Sequence, residues 1–440
     1  MKCDLFCECK DMIKKAKLIW LNHINFAPRN HNITKTVYFC IMRRLLTLSV
    51  GVLFLLVLAD IPVSAAKPLP RQQLINRLAK IQQKGYMYGH QDDPFYGITW
   101  EWDNDRSDTY DLVGDYPGVM GFDLGGLEMG DEKNLDSVPF TRIRQEIIRQ
   151  YERGGIVTIS WHPRNPLLGT TAWIEKDIKA YDEVVAALKK IGREDLVSQI
   201  DNPKNTVKSL LPGGKMADKF QLWLKRISDF LVTLKDKKGN QVPIILRPWN
   251  ENNGNWFWWG QANCSDADFH AFWNLTQDYI NAVEVSANTQ HPSSNTLKDY
   301  IVWSYSPNLQ GNWTEEKWMV RYPGDDRVDL IGEDAYQWGS EADFKAQLDK
   351  DLQLITDIAK KHGKLIAMTE CGYQNSPDAT WWQRVFKPVI EKYPICYFLP
   401  WRNYSKEHFG ASKDAKTADD FKAWAKGKNL LFVKDILGIK

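Results

Sequence analysis

The 440-residue chain is 43% hydrophobic, 25% charged and 12% aromatic, which excludes a disordered segment and a disulfide-stapled miniprotein. A surplus of five positive charges in residues 1–65 leaves residues 66–440 at −3 against +2 overall, so no basic surface for nucleic acid or anionic membrane is expected. Nineteen tryptophans are the unusual component; about half are expected in the core, and the rest suit flat apolar ligand faces such as sugar rings.

From Met42 the chain reads as an export leader. Arg43 and Arg44 form a basic start, Leu45 to Leu58 a 14-residue apolar run, and Val63-Ser64-Ala65 a small-residue cleavage site. The apolar run is short for a spanning helix, so a signal peptide over 42–65 is preferred to a signal anchor. No Cys stands at a lipidation position. Residues 1–41 have neither helical nor strand period, and Cys3, Cys7, Cys9 and Cys40 complete no four-ligand set. They read as translation upstream of the natural start, with the mature chain, residues 66–440, as one catalytic domain exported to periplasm or medium. Its three cysteines, Cys264, Cys371 and Cys396, allow one disulfide at most.

Beyond the leader, short β-rich runs alternate with amphipathic stretches. A helical pattern near Gln72–Lys84 precedes the run Tyr86–Gly89. Val119–Asp123, the helix Thr141–Arg153 and Ile156–Trp161 follow. A long connection from Pro163 to Gly214 then leads to the helix Met216–Lys235. The remaining runs are Ile244–Pro248, Ile301–Ser304, Val328–Gly332, Leu365–Thr369 and Cys396–Phe398, with helices near Asp266–Val285, Glu341–Lys361 and Trp381–Glu391 between them. Several runs are apolar at nearly every position, as strands covered on both faces are. Eight such strands predict an α/β fold, a (β/α)8 TIM barrel with long loops at the C-terminal face of the strands. A doubly wound sheet would want a Gly-rich first turn, which Gly89-His90-Gln91 does not supply.

Polar and aromatic residues stand just past these runs: His90, Asp123, His162, Asn250-Glu251, Tyr305, Tyr336, Glu370 and Trp401. Loops after the strands build the active face of a barrel, so a series of this kind lines that face for ligand. Two carboxylates stand out. Glu251 closes the fourth run in Ile-Leu-Arg-Pro-Trp-Asn-Glu, and Glu370 the seventh in Leu-Ile-Ala-Met-Thr-Glu. In an eight-strand barrel they can face one bond across the mouth. Glycoside cleavage needs such a pair, one neutral acid and one ionised nucleophile, because the transition state resembles an oxocarbenium ion and the leaving oxygen needs a proton. Arg247, close to Glu251 in the chain, is expected to keep a carboxylate ionised.

The run QVPIILRPWNENNGNWFWWG from Gln241 to Gly260 resembles the acid/base segment of glycoside hydrolase family 26, the β-mannanase family. Tyr88-Gly-His-Gln91, Gly121-Phe-Asp-Leu-Gly125, Ser160-Trp-His162, Leu211-Pro-Gly-Gly214, Asp329-Leu-Ile-Gly332, Thr369-Glu-Cys-Gly372 and Pro400-Trp-Arg402 agree with it. The resemblance implies retaining double displacement on the β-1,4 linkages of mannan, glucomannan or galactomannan. It gives Glu251 as acid/base and Glu370 as nucleophile. It implies His162 as a sugar contact at the cleavage site, Trp256 as the aromatic beside the acid/base, Tyr336 near the nucleophile, Trp401 as a stacking platform and Arg402 as a distal binder.

One position departs from the family. Asn250 stands where a histidine is usual, next to the reacting sugar's 2-hydroxyl, where mannose differs from glucose. The same machinery on mixed-linkage glucan or xylan is therefore the alternative substrate reading, and a catalytically silent carbohydrate-binding barrel the alternative class. His90 is open between a packed and a sugar-contacting role. Of the adjacent Glu333 and Asp334, at most one can face the bond, because neighbours on extended chain point apart. Cys371 beside Glu370 reads as packing. No metal-binding, phosphate-cradling or dinucleotide motif appears, so neither cofactor nor metal is expected, and the mature chain is expected to be monomeric.

Overall fold

Eight strands form the frame: β1 (Tyr86–Gln91), β2 (Val119–Asp123), β3 (Ile156–Trp161), β4 (Ile244–Pro248), β5 (Ile301–Tyr305), β6 (Leu330–Tyr336), β7 (Leu365–Gly372) and β8 (Ile395–Pro400). Each pairs in parallel with the next, and β8 pairs with β1, so the sheet closes into a barrel. A two-residue strand, β9 (Leu430–Leu431), pairs with the start of β1, while β2 pairs with its end. This computed structural model describes residues 68–285 and 295–439. The leader, its upstream segment and their four cysteines lie outside the described residues.

The barrel interior is filled in layers. Met87, Val119, Ile156, Ile245, Val302, Leu330, Ala367 and Tyr397, one from each strand, share a buried cluster with Leu74, Leu78 and Ile81. Those three come from the helix Pro70–Gln82, which reaches β1, β5 and β8 and so plugs the N-terminal end of the barrel. A second, larger cluster joins the strands to the outer helices. The helix Glu341–His362 shows why its residues adopt that form. Phe344, Leu348, Leu352, Ile355 and Ala359 recur at helical spacing and are buried. Ser340 accepts the Asp343 amide at its start (3.1 Å), and Gly363 at φ 65° ends it in the left-handed conformation.

All eight expected strands are present, and β2, β3 and β4 end where expected, but the C-terminal ends of the other five run further than hydrophobicity indicates. β6 carries on through Glu333 and Asp334 to Tyr336, and β7 through Glu370 to Gly372. Polar side chains there are buried by loops and by one another. The connection from 163 to 214 also holds a helix, Glu175–Lys190, with no buried side chain.

Candidate active site

Glu251 sits three residues beyond β4. Trp249 and Glu251 adopt positive φ (55° and 51°) although neither is glycine, a conformation that costs about 1–3 kcal/mol each and survives only where packing dictates it. Trp249 supplies that packing, fully buried against Trp161, Trp258, Trp259 and Phe272. The Glu251 amide donates to Ser306 O (2.8 Å) and ties the turn to the end of β5. At the carboxyl, Trp256 Nε1 donates to Oε2 (2.7 Å) and Asn308 Nδ2 to Oε1 (2.9 Å).

Glu370 is placed by a bulge. Register between β6 and β7 shifts after Glu333, so Glu370 lies opposite Asp334. One Glu370 oxygen accepts from Arg247 Nη2 (2.7 Å) and Asn250 Nδ2 (3.3 Å), the other from the Tyr336 hydroxyl (2.7 Å). Arg247 also donates from Nη1 to Asp334 Oδ2 (3.2 Å), and Thr369 Oγ1 donates to Asp334 Oδ1 (2.6 Å). Glu333 is hydrogen-bonded to Asp351 on the outer helix. Oxygens of Glu251, Asp334 and Glu370 all lie within 4.8 Å of one another. Such a triad has the composition of a cation site, but here Arg247 supplies the compensating charge to two of its members.

The electrostatics single out Glu251. Burial, and then the negative charge of Glu370, push Glu251 up to about 7. Glu370 keeps three donors, one of them a buried guanidinium that stays charged beside Asp334 and Glu370. Burial raises the Asp334 carboxyl against the pull of Arg247, as expected when two carboxylates share one cation. Tyr336 is raised by burial and by the charge of Glu370, so it keeps its proton and donates it. The arrangement offers one carboxyl raised by burial and, close by, a second carboxyl held by three donors, a pair suited to cleaving an acetal by double displacement.

The remaining sequence-selected residues fall in three groups. His162 lies at the mouth, its Nδ1 2.6 Å from Asp123 Oδ2, with Trp401 edge-on at 5.9 Å and Trp173 stacked at 6.3 Å. Burial alone would lower its pKa; the Asp123 carboxylate outweighs burial and holds it above 6.5. Asp123 is itself fixed by the Gly125 amide (2.7 Å) and Ser160 Oγ (2.6 Å). Trp401 is half-buried, and Arg402 beside it is ion-paired with Asp136 (3.0 Å). His90 stands apart. Its ring is fully buried, Nδ1 lies 2.7 Å from Asp93 Oδ1, and a Cβ on Gly410 would meet its Nε2 at 2.2 Å. Of the two roles open to it, it occupies the packed position. Asn308, which grips Glu251, was not selected from sequence. It stands three residues past β5, and that strand-end placement was its one signal, masked because Ser-Pro-Asn reads as a turn.

Residues 64–424 match the sequence profile of glycosyl hydrolase family 26. The chain belongs to this family. A solved family 26 β-mannanase from Bacteroides ovatus is 37% identical, with a TM-score of 0.72 over 84% of this chain and 96% of that one. A mannan endo-1,4-β-mannosidase of Bifidobacterium adolescentis is 28% identical over 75% of this chain, which spans 31% of that longer protein. Another, from Bacillus subtilis, is 25% identical over 75% of this chain and 76% of its own length. As a family 26 member, the chain is a glycoside hydrolase built on a closed barrel of eight parallel strands.

Proposed function

We propose that this family 26 enzyme hydrolyses the β-1,4 linkages of mannan, glucomannan or galactomannan with retention of configuration. The observation that carries the mechanism is the carboxyl pair. Glu251 and Glu370 present oxygens within 4.8 Å, near the spacing of about 5–5.5 Å between carboxyls in retaining enzymes, and burial raises the Glu251 carboxyl to about 7. Glu370 attacks the anomeric carbon while neutral Glu251 gives its proton to the leaving oxygen. The leaving sugar departs, and Glu251 as carboxylate takes a proton from water. That water attacks the anomeric carbon and frees Glu370. Arg247, Asn250 and Tyr336 hold Glu370 in line, and Trp256 and Asn308 aim Glu251. His162 and Trp401 are placed to contact the sugar before the cut, and Arg402 one further out. The names of the relatives support mannan as the polymer.

Asn250 favours a second substrate reading. Its amide touches both Glu370 and Asp334, and the family resemblance sets this position beside the reacting sugar's 2-hydroxyl. Export through the 42–65 leader and a monomeric state complete the proposal. Among the described residues no helix is long and apolar enough to cross a membrane. The test is a time course of products from mannan, glucomannan, mixed-linkage glucan and xylan, with the anomer identified. Oligosaccharides of retained configuration from mannan are expected, and their size separates internal cleavage from release of disaccharide. Products from glucan or xylan alone would overturn the mannan assignment.

A further inference from the structure

We infer that the hollow beside Trp338 is the subsite for the first hexopyranose on the leaving side of the cut, with the Trp338 indole as its stacking platform. The inference rests on the retaining β-mannanase reading and adds to it which surface holds the leaving or accepting sugar.

The observations are geometric. Asn308, Leu309, Tyr336, Trp338, Phe344 and Gln347 are among the residues lining a hollow of about 270 Å³. That is room for about nine waters at ~30 Å³ each, the scale of one sugar ring. Trp338 is 68% exposed, against full or near-full burial for Trp249, Trp258, Trp259, Trp381 and Trp382. A lone exposed aromatic on a surface needs no explanation, but Trp338 is not alone. Its ring lies 5.7 Å from that of Tyr336, and the edge of Phe409 supports both, at 6.4 Å from Trp338 and 5.4 Å from Tyr336. A Cβ on the next residue, Gly339, would meet nothing within 4 Å, so the approach is open.

The side of the cut follows from two contacts. The same Asn308 that lines the hollow donates to Glu251, the group that protonates the leaving oxygen, while Tyr336 donates to Glu370. A ring in the hollow therefore adjoins the acid/base and the anchored nucleophile at once. Trp401, by contrast, follows β8, across the mouth from β4 and the Glu251 turn, and its aromatic neighbour is His162. A flat indole beside an amide suits the apolar face of a pyranose with hydroxyls at its edge.

Partition of the covalent intermediate tests this. Once Glu370 is esterified to the anomeric carbon, either water or an acceptor hydroxyl attacks. Glu251 takes the proton and the Glu370 carboxylate leaves, whichever nucleophile reacts. With 4-nitrophenyl β-mannobioside as donor and mannotriose as acceptor, transfer gives mannopentaose and hydrolysis gives mannobiose. Trp338→Ala is expected to lower the transfer-to-hydrolysis ratio about tenfold, and Trp338→Phe to recover most of it, since one stacked ring is lost and then replaced. Both products drain one intermediate, so a general loss of fold or activity cancels from the ratio. An unchanged ratio in Trp338→Ala would overturn the subsite, as would an unchanged ratio with altered cleavage of galactomannan alone, which would make the hollow a pocket for a branch sugar. If the unaltered enzyme fails to turn over the donor while cleaving another β-glycan, the mannan reading falls, and the hexose assigned to this subsite falls with it.

Discussion

Replacing Glu370 with alanine removes the carboxylate that Arg247, Asn250 and Tyr336 hold together. Turnover should fall to background on every substrate. Glu251→Ala should cost about 10²–10⁴ in kcat on mannan, where the leaving oxygen must be protonated, and spare an aryl glycoside whose leaving group needs no proton. Equal losses on the aryl glycoside would reverse the roles assigned here. The pH profile carries the same assignment. Glu251 works in its neutral form, so kcat/KM should decline as pH rises through about 7. Asn308 donates to Glu251 and so favours its ionised form. Asn308→Ala should lower kcat and shift that basic limb to higher pH. A limb that stays put would mean that Asn308 does not tune the acid. At this scale the two glutamates and Arg247 were legible from sequence, because each closes or precedes a strand end beside Pro, Trp or Gly. The partners that decide protonation were not legible. Asp334 reads as one of two adjacent acids until the β6–β7 bulge turns it toward Glu370, and Asn308 comes from a loop 57 residues away from Glu251.

The loop after β5 is held as a unit. Asp334 N donates to Pro307 O (3.0 Å) and Leu309 N to Asp334 O (2.9 Å), while the Gln310 and Gly311 amides donate to the Asp351 carboxylate at 2.6 and 2.9 Å. Asp351 lies on the outer helix Glu341–His362 and is nearly buried, so an outer element fixes the loop that aims the acid. Asp351→Ala leaves two amides without their acceptor, at about 1–3 kcal/mol for each that stays buried. Denaturant unfolding should show that loss. Kinetics should show a larger drop on mannan than on an activated aryl glycoside, because Asn308 loosens and Glu251 with it. A uniform drop on both would confine Asp351 to stability. The strands and long amphipathic helices were visible in sequence because burial on one or both faces imposes a period. The strand extensions through Glu333–Tyr336 and Glu370–Gly372 were not, because site carboxylates replace the apolar residues that mark a strand.

The closed barrel concentrates acids whose folded-state protons the unfolded chain would release. Burial raises Asp92, Glu333 and Asp334 well above their ordinary values and Glu251 to about 7. The unfolded values lie near 4. A carboxyl raised in the folded state binds a proton there that the unfolded chain has lost, so stability is fully present below about 4 and declines as pH rises toward the folded value. For Glu251 alone, a rise from 4.5 to about 7 corresponds to at most about 3 kcal/mol, reached above pH 7. Glu251→Gln removes that titration. It also exchanges one of the two oxygens that accept from Trp256 and Asn308 for an amide that cannot accept, costing about 1 kcal/mol at every pH. The two effects separate by their pH dependence. Between pH 5 and pH 8, the melting temperature of Glu251→Gln should rise relative to that of the unaltered enzyme. A constant difference across that range would mean that Glu251 carries an ordinary carboxyl in the folded state, and the neutral acid required for leaving-group protonation would then need another source.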